Sequence, residues 1–140
     1  MLKIRRARLE DERTVKSIYL SMTGSEASLN DSHLTDLITK GGVIVAERGG
    51  QVIGFGGVDL QATEQIKYLY ILPEYQQCGT GSEVLRELEK AAWAAGIEEV
   101  RLHSSPGAVG FYVRQGYKEV EAADQVGHNH EGIEMIKTRD

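Results

Sequence analysis

Hydrophobic and polar positions along the 140-residue chain change spacing several times, and each change predicts a new element. Leu2 and Ile4 alternate with basic residues, which predicts a first strand with one buried face. Helical spacing follows Asp11, a predicted N-cap, and returns in a short second helix that ends at Gly41. Three strands separated by turns come next, and they predict an antiparallel meander over residues 43–47, 51–60 and 65–72.

In two strands of this meander, the sequence also predicts how individual residues are placed. The alternation of the third strand predicts that Ile66, Tyr68 and Tyr70 share one face. The strand before it contains glycines that predict a bulge or the close approach of another backbone, at Gly54, Gly56 and Gly57.

The second half of the chain alternates helices and strands. Its clearest helix covers residues 82–95 and carries one apolar face before Gly96. A strand, a short helix and two further strands are predicted at 99–103, 106–114, 117–121 and 133–137. A meander followed by alternating elements is typical of the α+β or mixed α/β class.

The composition is that of one folded domain over residues 1–140. At about 150 residues per domain the length gives a single domain, and no repeat or linker divides it. With 41% hydrophobic and 26% charged residues, the chain is neither disordered nor fibrous. The net charge of −5 argues against nucleic acid or an anionic membrane surface and favours a cationic partner. Cys78 is the single cysteine, and the absence of a predicted signal or membrane span makes the cytoplasm the expected location.

A glycine-containing loop joins the meander to the clearest helix, in the stretch Tyr70-Ile-Leu-Pro-Glu-Tyr-Gln-Gln-Cys-Gly-Thr-Gly-Ser82. Gly79 and Gly81 allow a tight turn whose N–H groups, together with the helix start, suit a phosphate or pyrophosphate. A Walker A loop is excluded because no lysine follows the glycines. A dinucleotide-binding loop is disfavoured because Val84 occupies the position of its third glycine.

Two motifs in this region resemble the GNAT superfamily of N-acetyltransferases. Gln76-x-x-Gly79-x-Gly81, after a strand ending Leu69-Tyr70-Ile71-Leu72-Pro73, resembles the acetyl-CoA signature of that family. Residues 105–117 resemble its second motif, in which an alanine precedes Phe-Tyr and Gly-Tyr closes the helix. The resemblance extends over nearly the whole chain and implies the GNAT fold, a central twisted mixed sheet flanked by about four helices.

The resemblance implies acetyl-CoA as the acyl-donor cosubstrate and no metal. In the family, the strand pairs with the pantetheine arm and the loop N–H groups hold the pyrophosphate. By that correspondence the cofactor-binding residues are Leu69, Tyr70, Ile71, Gln76, Gln77, Cys78, Gly79, Thr80, Gly81, Ser82, Ser105 and Tyr112. Ser105 departs from the family pattern, which often has asparagine there.

Direct N-acetyl transfer to a primary amine is the implied reaction, with Tyr112 and Glu64 as the catalytic residues. A phenol is protonated at neutral pH and can donate its proton to the departing thiolate. Glu64 is the nearest match to the family's proton acceptor, and Asp59 and His103 are the alternatives. A backbone N–H near Ile71 is the expected oxyanion donor.

The residues leave two other function classes open: a non-catalytic acyl-CoA-binding sensor or interaction module, and a nucleotide-binding oxidoreductase domain. The acceptor is a small amine or a protein amine, and the acidic residues compatible with it are Glu26, Asp31, Asp36, Asp59 and Glu64. Because GNAT proteins are often dimers, a homodimer is one expectation.

Two further side-chain types invite other chemistry. His128 and His130 lie beside Glu131, but without a third anchored ligand we expect a solvated loop near the substrate entrance rather than a zinc site. Cys78 is expected to contribute its backbone N–H and not an acyl-cysteine intermediate.

Overall fold

The computed structural model describes residues 1–24, 32–121 and 132–139, and these contain seven strands and four α-helices. The strands are β1 (Leu2–Arg6), β2 (Val43–Arg48), β3 (Gln51–Val58), β4 (Ile66–Ile71), β5 (Glu99–Ser104), β6 (Lys118–Glu119) and β7 (Ile133–Thr138). The helices are α1 (Glu12–Thr23), α2 (Ser32–Lys40), α3 (Thr80–Ala94) and α4 (Val109–Arg114). Their order along the chain is the predicted one.

The strands form two antiparallel sheets that meet at β4 and β5. One sheet has the order β1-β2-β3-β4 and the other the order β5-β7-β6. Although β4 and β5 are in contact, no ladder of hydrogen bonds joins their described residues. The predicted α+β class, with an antiparallel meander in its first half, is therefore confirmed, and an opening lies between the two sheets.

Helices cover both faces of the first sheet. On one face α3 packs through Val84 and Leu88, and on the other α1 and α2 pack through side chains that include Val15 and Leu34. A Cβ atom at Gly56 would lie 2.7 Å from Leu88 Cδ1 and 2.8 Å from a methyl carbon of Val84. Glycine therefore allows the side chains of α3 to lie directly against β3, and the bulge predicted for this strand is present as a register shift between Gly57 and Val58.

The prediction that Ile66, Tyr68 and Tyr70 share one face of β4 is wrong for Ile66. The register changes from Gly57 opposite Tyr68 to Val58 opposite Ile66, which leaves Lys67 as the extra residue of a β-bulge. Ile66 consequently belongs to the buried cluster under α3, whereas Tyr68 belongs to the cluster under α1 and α2. Alternation with a period of two does not predict a bulge. The inserted residue moves every side chain before it to the opposite face of the sheet.

Asp11 occupies the predicted N-cap position of α1, but its side chain does not cap the helix. Asp11 precedes α1 in a helical conformation, and its side chain makes no cap hydrogen bond to that helix. Its Oδ2 instead accepts hydrogen bonds from Arg5 at 2.8 Å and from the Arg8 N–H at 2.7 Å. The hydrogen bond from Arg5 is the main cause that lowers the pKa of the Asp11 carboxyl, against the opposing effect of burial. Asp11 therefore links β1 to the start of α1 through an ion pair.

Candidate functional site

The glycine loop presents backbone N–H groups at the start of α3. Gln77 and Gly79 both have left-handed backbone conformations, with φ of 64° and 83°, and together they turn the chain from β4 into the helix. The first hydrogen bond of α3 runs from the Glu83 N–H to the Gly79 carbonyl at 3.1 Å, and no side chain caps the helix. The N–H groups of Thr80, Gly81 and Ser82 consequently have no acceptor within α3, as required of an anion site at a helix start.

Side chains on both sides hold this loop in position. Gln76 Nε2 donates to the Ile71 carbonyl at 2.9 Å, which ties the loop to the end of β4. Gln115 Nε2, just after α4, donates to Ser82 Oγ at 2.9 Å. The side chain of Gln76, predicted to bind the cofactor, thus also fixes the loop that carries the N–H groups.

A cavity of about 700 Å³ lies beside the loop, a size typical of small-molecule sites. Eight of the predicted cofactor-binding residues line it: Leu69, Ile71, Gln76, Gln77, Gly79, Gly81, Ser82 and Tyr112. Sequence reasoning missed others in the same wall, among them Met22, Arg114 and Gln115. Arg114 adds a positive charge next to the loop, and its position two residues after Tyr112 in the second motif is the signal that could have identified it.

A second, smaller cavity of about 180 Å³ lies between β4 and β5. Its walls are formed by residues 66–70 of β4 and residues 102–105 at the end of β5, with Ala108 and Tyr112. Leu69, Ala108 and Tyr112 line both cavities. The two cavities are therefore adjacent at these three residues, with the glycine loop on one side and the opening between the sheets on the other.

The edge of β4 presents main-chain groups to this opening. The Leu72 N–H donates to the Ile53 carbonyl of β3 at 2.9 Å. Because alternate residues of an antiparallel strand bond to the same neighbour, Leu69 and Ile71 direct their main-chain groups away from β3, towards β5. At the other end of the opening the two sheets are bridged, since the Arg101 N–H of β5 donates to Gln65 Oε1 at 3.0 Å.

Tyr112 is buried at the centre of α4. Its ring makes edge-on contacts with Phe111 and Tyr117 at centroid distances of 5.1 and 5.7 Å. Burial, with a smaller contribution from Tyr70, raises the pKa of the Tyr112 phenol to about 12. The hydroxyl is accordingly protonated at neutral pH and can act as a hydrogen-bond donor where the cavities adjoin.

The three candidate proton acceptors are arranged as two carboxylate–histidine pairs. A hydrogen bond joins Glu64 Oε2 and His103 Nδ1, so two of the predicted alternatives form one unit. His103 lines the smaller cavity and Glu64 does not. Asp59 Oδ2 lies 3.0 Å from His33 Nε2. Burial opposes ionisation of Asp59, but the hydrogen bonds from His33 and the Gln61 N–H outweigh it and lower the pKa of this carboxyl.

Some predicted residues lie apart from the larger cavity. Tyr70 and Ser105 line only the smaller one, and neither Cys78 nor Thr80 belongs to the wall of either. The Thr80 hydroxyl is buried and has no hydrogen-bond partner among the described residues. His128, His130, Glu131, Glu26 and Asp31 lie outside the described residues. Within the described part of the chain, no cluster of histidine, cysteine and acidic side chains is arranged to hold a metal ion.

These features define a protein with a glycine loop and free N–H groups at a helix start, next to a tyrosine at an opening between two sheets. Residues 24–139 match the family model described as an acetyltransferase (GNAT) domain. The chain therefore belongs to the GNAT acetyltransferase family, and the resemblance seen in its motifs is confirmed. A relative from Chlorobaculum tepidum, described as an uncharacterized N-acetyltransferase, is 29% identical over 126 residues, which is 84% of this chain and 76% of the relative.

Solved structures share the fold at low sequence identity. The PaiA N-acetyltransferase of Thermoplasma acidophilum, solved in complex with coenzyme A, has a TM-score of 0.77 and 22% identity, with 99% of each chain covered. N-acetylglutamate synthase of Neisseria gonorrhoeae, solved with coenzyme A and N-acetylglutamate, has a TM-score of 0.78 and 16% identity over 99% of this chain and 35% of that one. A GNAT-family acetyltransferase of Staphylococcus aureus has a TM-score of 0.82 and 13% identity, with 99% of each chain covered. Among the described residues, no helix has the length and apolar character needed to cross a membrane.

Proposed function

We propose that this protein is an acetyl-CoA-dependent N-acetyltransferase that acetylates a primary amine. The observation that carries the proposal is the adjacency of two cavities that both include Tyr112 in their walls, one beside the glycine loop and one between β4 and β5. A two-substrate transfer needs a donor site and an acceptor site that share one reacting centre. Membership of the GNAT family gives the reaction class.

The residues of the larger cavity fit coenzyme A. The helix-start N–H groups suit the pyrophosphate, and Arg114 supplies a positive charge in the same wall. The outward main-chain groups of Leu69 and Ile71 suit an extended amide-bearing arm that adds to the edge of β4. Two proteins of this fold, PaiA and N-acetylglutamate synthase, have been solved with coenzyme A.

The chain's own residues have three tasks in the reaction. Acetyl-CoA supplies the thioester, whose C–S bond breaks as the amine nitrogen forms the new C–N bond. A main-chain N–H at Leu69 or Ile71 stabilises the negative charge that develops on the carbonyl oxygen. The Tyr112 hydroxyl donates a hydrogen bond to the departing sulfur, and the Glu64–His103 pair accepts the proton that the amine loses.

A thermal unfolding titration with acetyl-CoA, free coenzyme A and NADH tests the cofactor assignment. A ligand at a hundredfold excess over its Kd raises the free energy of unfolding by about 2.7 kcal/mol. We expect stabilisation by both CoA compounds and none by NADH. Stabilisation by NADH alone would favour the oxidoreductase alternative, and CoA binding without thiol release from acetyl-CoA in the presence of any amine would favour the sensor alternative. The cytoplasmic location and the homodimer stay predictions.

A further inference from the structure

The smaller cavity has an unusual charge for a site expected to receive an amine. None of the described residues in its wall is acidic, whereas Lys67 carries a positive charge. A site that selects a polyamine or another polycation would be expected to present carboxylates to it, because ammonium groups are expensive to bury without a charged partner. This wall offers a cation instead.

The nearby carboxylates do not line this cavity. Glu64 is hydrogen-bonded to His103, and Asp59 is hydrogen-bonded to His33 and the Gln61 N–H. These are two of the acidic residues that the sequence analysis found compatible with an amine acceptor. Asp36, a third, is exposed on α2 and does not line the cavity.

Lys67 lines the cavity and is also the bulged residue of β4. It is the residue left without a cross-strand partner between the Gly57–Tyr68 and Val58–Ile66 pairs. Bulges near active sites commonly redirect one side chain out of the regular alternation. No ion pair joins Lys67 to another described residue, so its charge is not neutralised within the described structure.

We propose that the acceptor is an amine that carries an anionic group close to the reacting nitrogen, most simply the carboxylate of an amino acid, and that Lys67 recognises this group. The inference rests on the proposed acetyl transfer and names its acceptor class. A carboxylate paired with Lys67 orients the acceptor in the cavity, at the junction with Tyr112. The lysine charge also disfavours the ammonium form of the incoming amine, and the neutral form is the one that attacks.

A matched acceptor panel tests this acceptor class. Thiol release from acetyl-CoA is measured with each of the common α-amino acids, with the corresponding α-carboxamides, with spermidine and with a lysine-containing peptide. We expect the best carboxylate to exceed its own carboxamide by about 10- to 100-fold in kcat/KM, the range of a hydrogen bond to a charged group. The proposal would be overturned if spermidine or the peptide were the best acceptor. In that case, the ammonium groups of the acceptor would bind on the tyrosine rings of the cavity wall.

Substitution of Lys67 tests its role directly. In Lys67→Gln the advantage of carboxylate over carboxamide should fall to near unity, and Lys67→Arg should keep most of it. Lys3→Gln removes an exposed positive charge from β1, at the far edge of the same sheet, and should leave the ratio unchanged. An unchanged ratio in Lys67→Gln would show that Lys67 does not recognise the anion.

The outcomes separate this inference from the function on which it rests. Transfer to no amine at all by a protein that binds acetyl-CoA would contradict the acetyltransferase function itself. Efficient transfer to uncharged or cationic amines would contradict only the acceptor class. Should Lys67→Gln fail to fold, as judged by the loss of CoA-induced thermal stabilisation, the wild-type panel and Lys67→Arg still decide the question.

Discussion

Removal of the Tyr112 hydroxyl is the most informative single perturbation of this site. In Tyr112→Phe the ring keeps its edge-on contacts with Phe111 and Tyr117, so the packing of α4 is retained. No hydrogen bond joins the hydroxyl to another described residue, and we therefore expect the free energy of unfolding to change by less than about 1 kcal/mol. The variant thus removes a proton donor while leaving the fold in place.

The size of the catalytic loss follows from the pKa of Tyr112. Burial raises that pKa to about 12, whereas a thiol has a pKa of about 8.5. Complete proton transfer to the thiolate is therefore uphill by roughly 3.5 pKa units, or about 5 kcal/mol. The hydroxyl then stabilises the leaving sulfur through a hydrogen bond, and we expect Tyr112→Phe to lower kcat about 100-fold, the low end of general-acid effects.

Steady-state thiol release with acetyl-CoA, together with CoA binding, measures this loss. Kd for CoA should be almost unchanged in Tyr112→Phe, and Tyr75→Phe serves as the matched control because Tyr75 lines neither cavity. In the wild type, no alkaline loss of kcat from the phenol should occur below about pH 10, since its pKa is raised to about 12. A Tyr112→Phe variant with wild-type kcat, or one that fails only because CoA no longer binds, would refute the role of Tyr112 as a donor.

Three further predictions concern stability. Gly56→Ala should lower the free energy of unfolding by about 1–3 kcal/mol, because the added Cβ meets α3 side chains. Gly107→Ala is the control, because the space around its Cβ is open. Urea unfolding measures both variants, and equal effects would contradict the close packing of α3 on β3. Thr80→Val should raise the free energy of unfolding by about 1 kcal/mol in thermal melts, because it removes a buried hydroxyl without a partner in the described structure. The Kd for CoA should not change. Destabilisation would indicate that the hydroxyl has a hydrogen-bond partner. The folded-state pKa of Asp11 is lowered, so its ion pair with Arg5 stabilises the fold above the unfolded pKa of about 4, and this stabilisation is lost as the pH falls below that value. Asp11→Asn should therefore flatten the acid part of the profile of unfolding free energy against pH. Parallel profiles for the wild type and the variant would contradict this linkage.

The order of elements and the loop chemistry could be predicted from the sequence because both are local. Hydrophobic spacing predicts the strands and helices, and Gly79 with Gly81 next to a helix start indicates an anion site without knowledge of the tertiary fold. The predicted start of α3 at Ser82 was two residues late, since the helix begins at Thr80. Hydrophobic spacing defines the body of a helix, whereas its exact first residue depends on the terminal turn.

The parts that could not be predicted depend on contacts between distant segments. Glu64 and His103 are alternatives in the sequence, and only the contact between the segment before β4 and strand β5 reveals that they form one unit. Gln115 supports the glycine loop from more than thirty residues away in sequence, and no local pattern indicates that contact. The position of the bulge at Lys67 could not be predicted either, because period-2 alternation contains no signal for a bulge whose position is set by the neighbouring strand.

Direct observation of acetyl transfer is the decisive measurement. The protein is incubated with acetyl-CoA carrying an isotope label in the acetyl group and with the matched amine panel, and the products are separated by mass spectrometry. We predict that the label appears on the amine nitrogen of an acceptor, with one free CoA thiol released for each product and with the rate reduced in Tyr112→Phe. Label that stays on CoA in the presence of every amine, or that appears only as acetate, would contradict the assignment of this protein as an N-acetyltransferase.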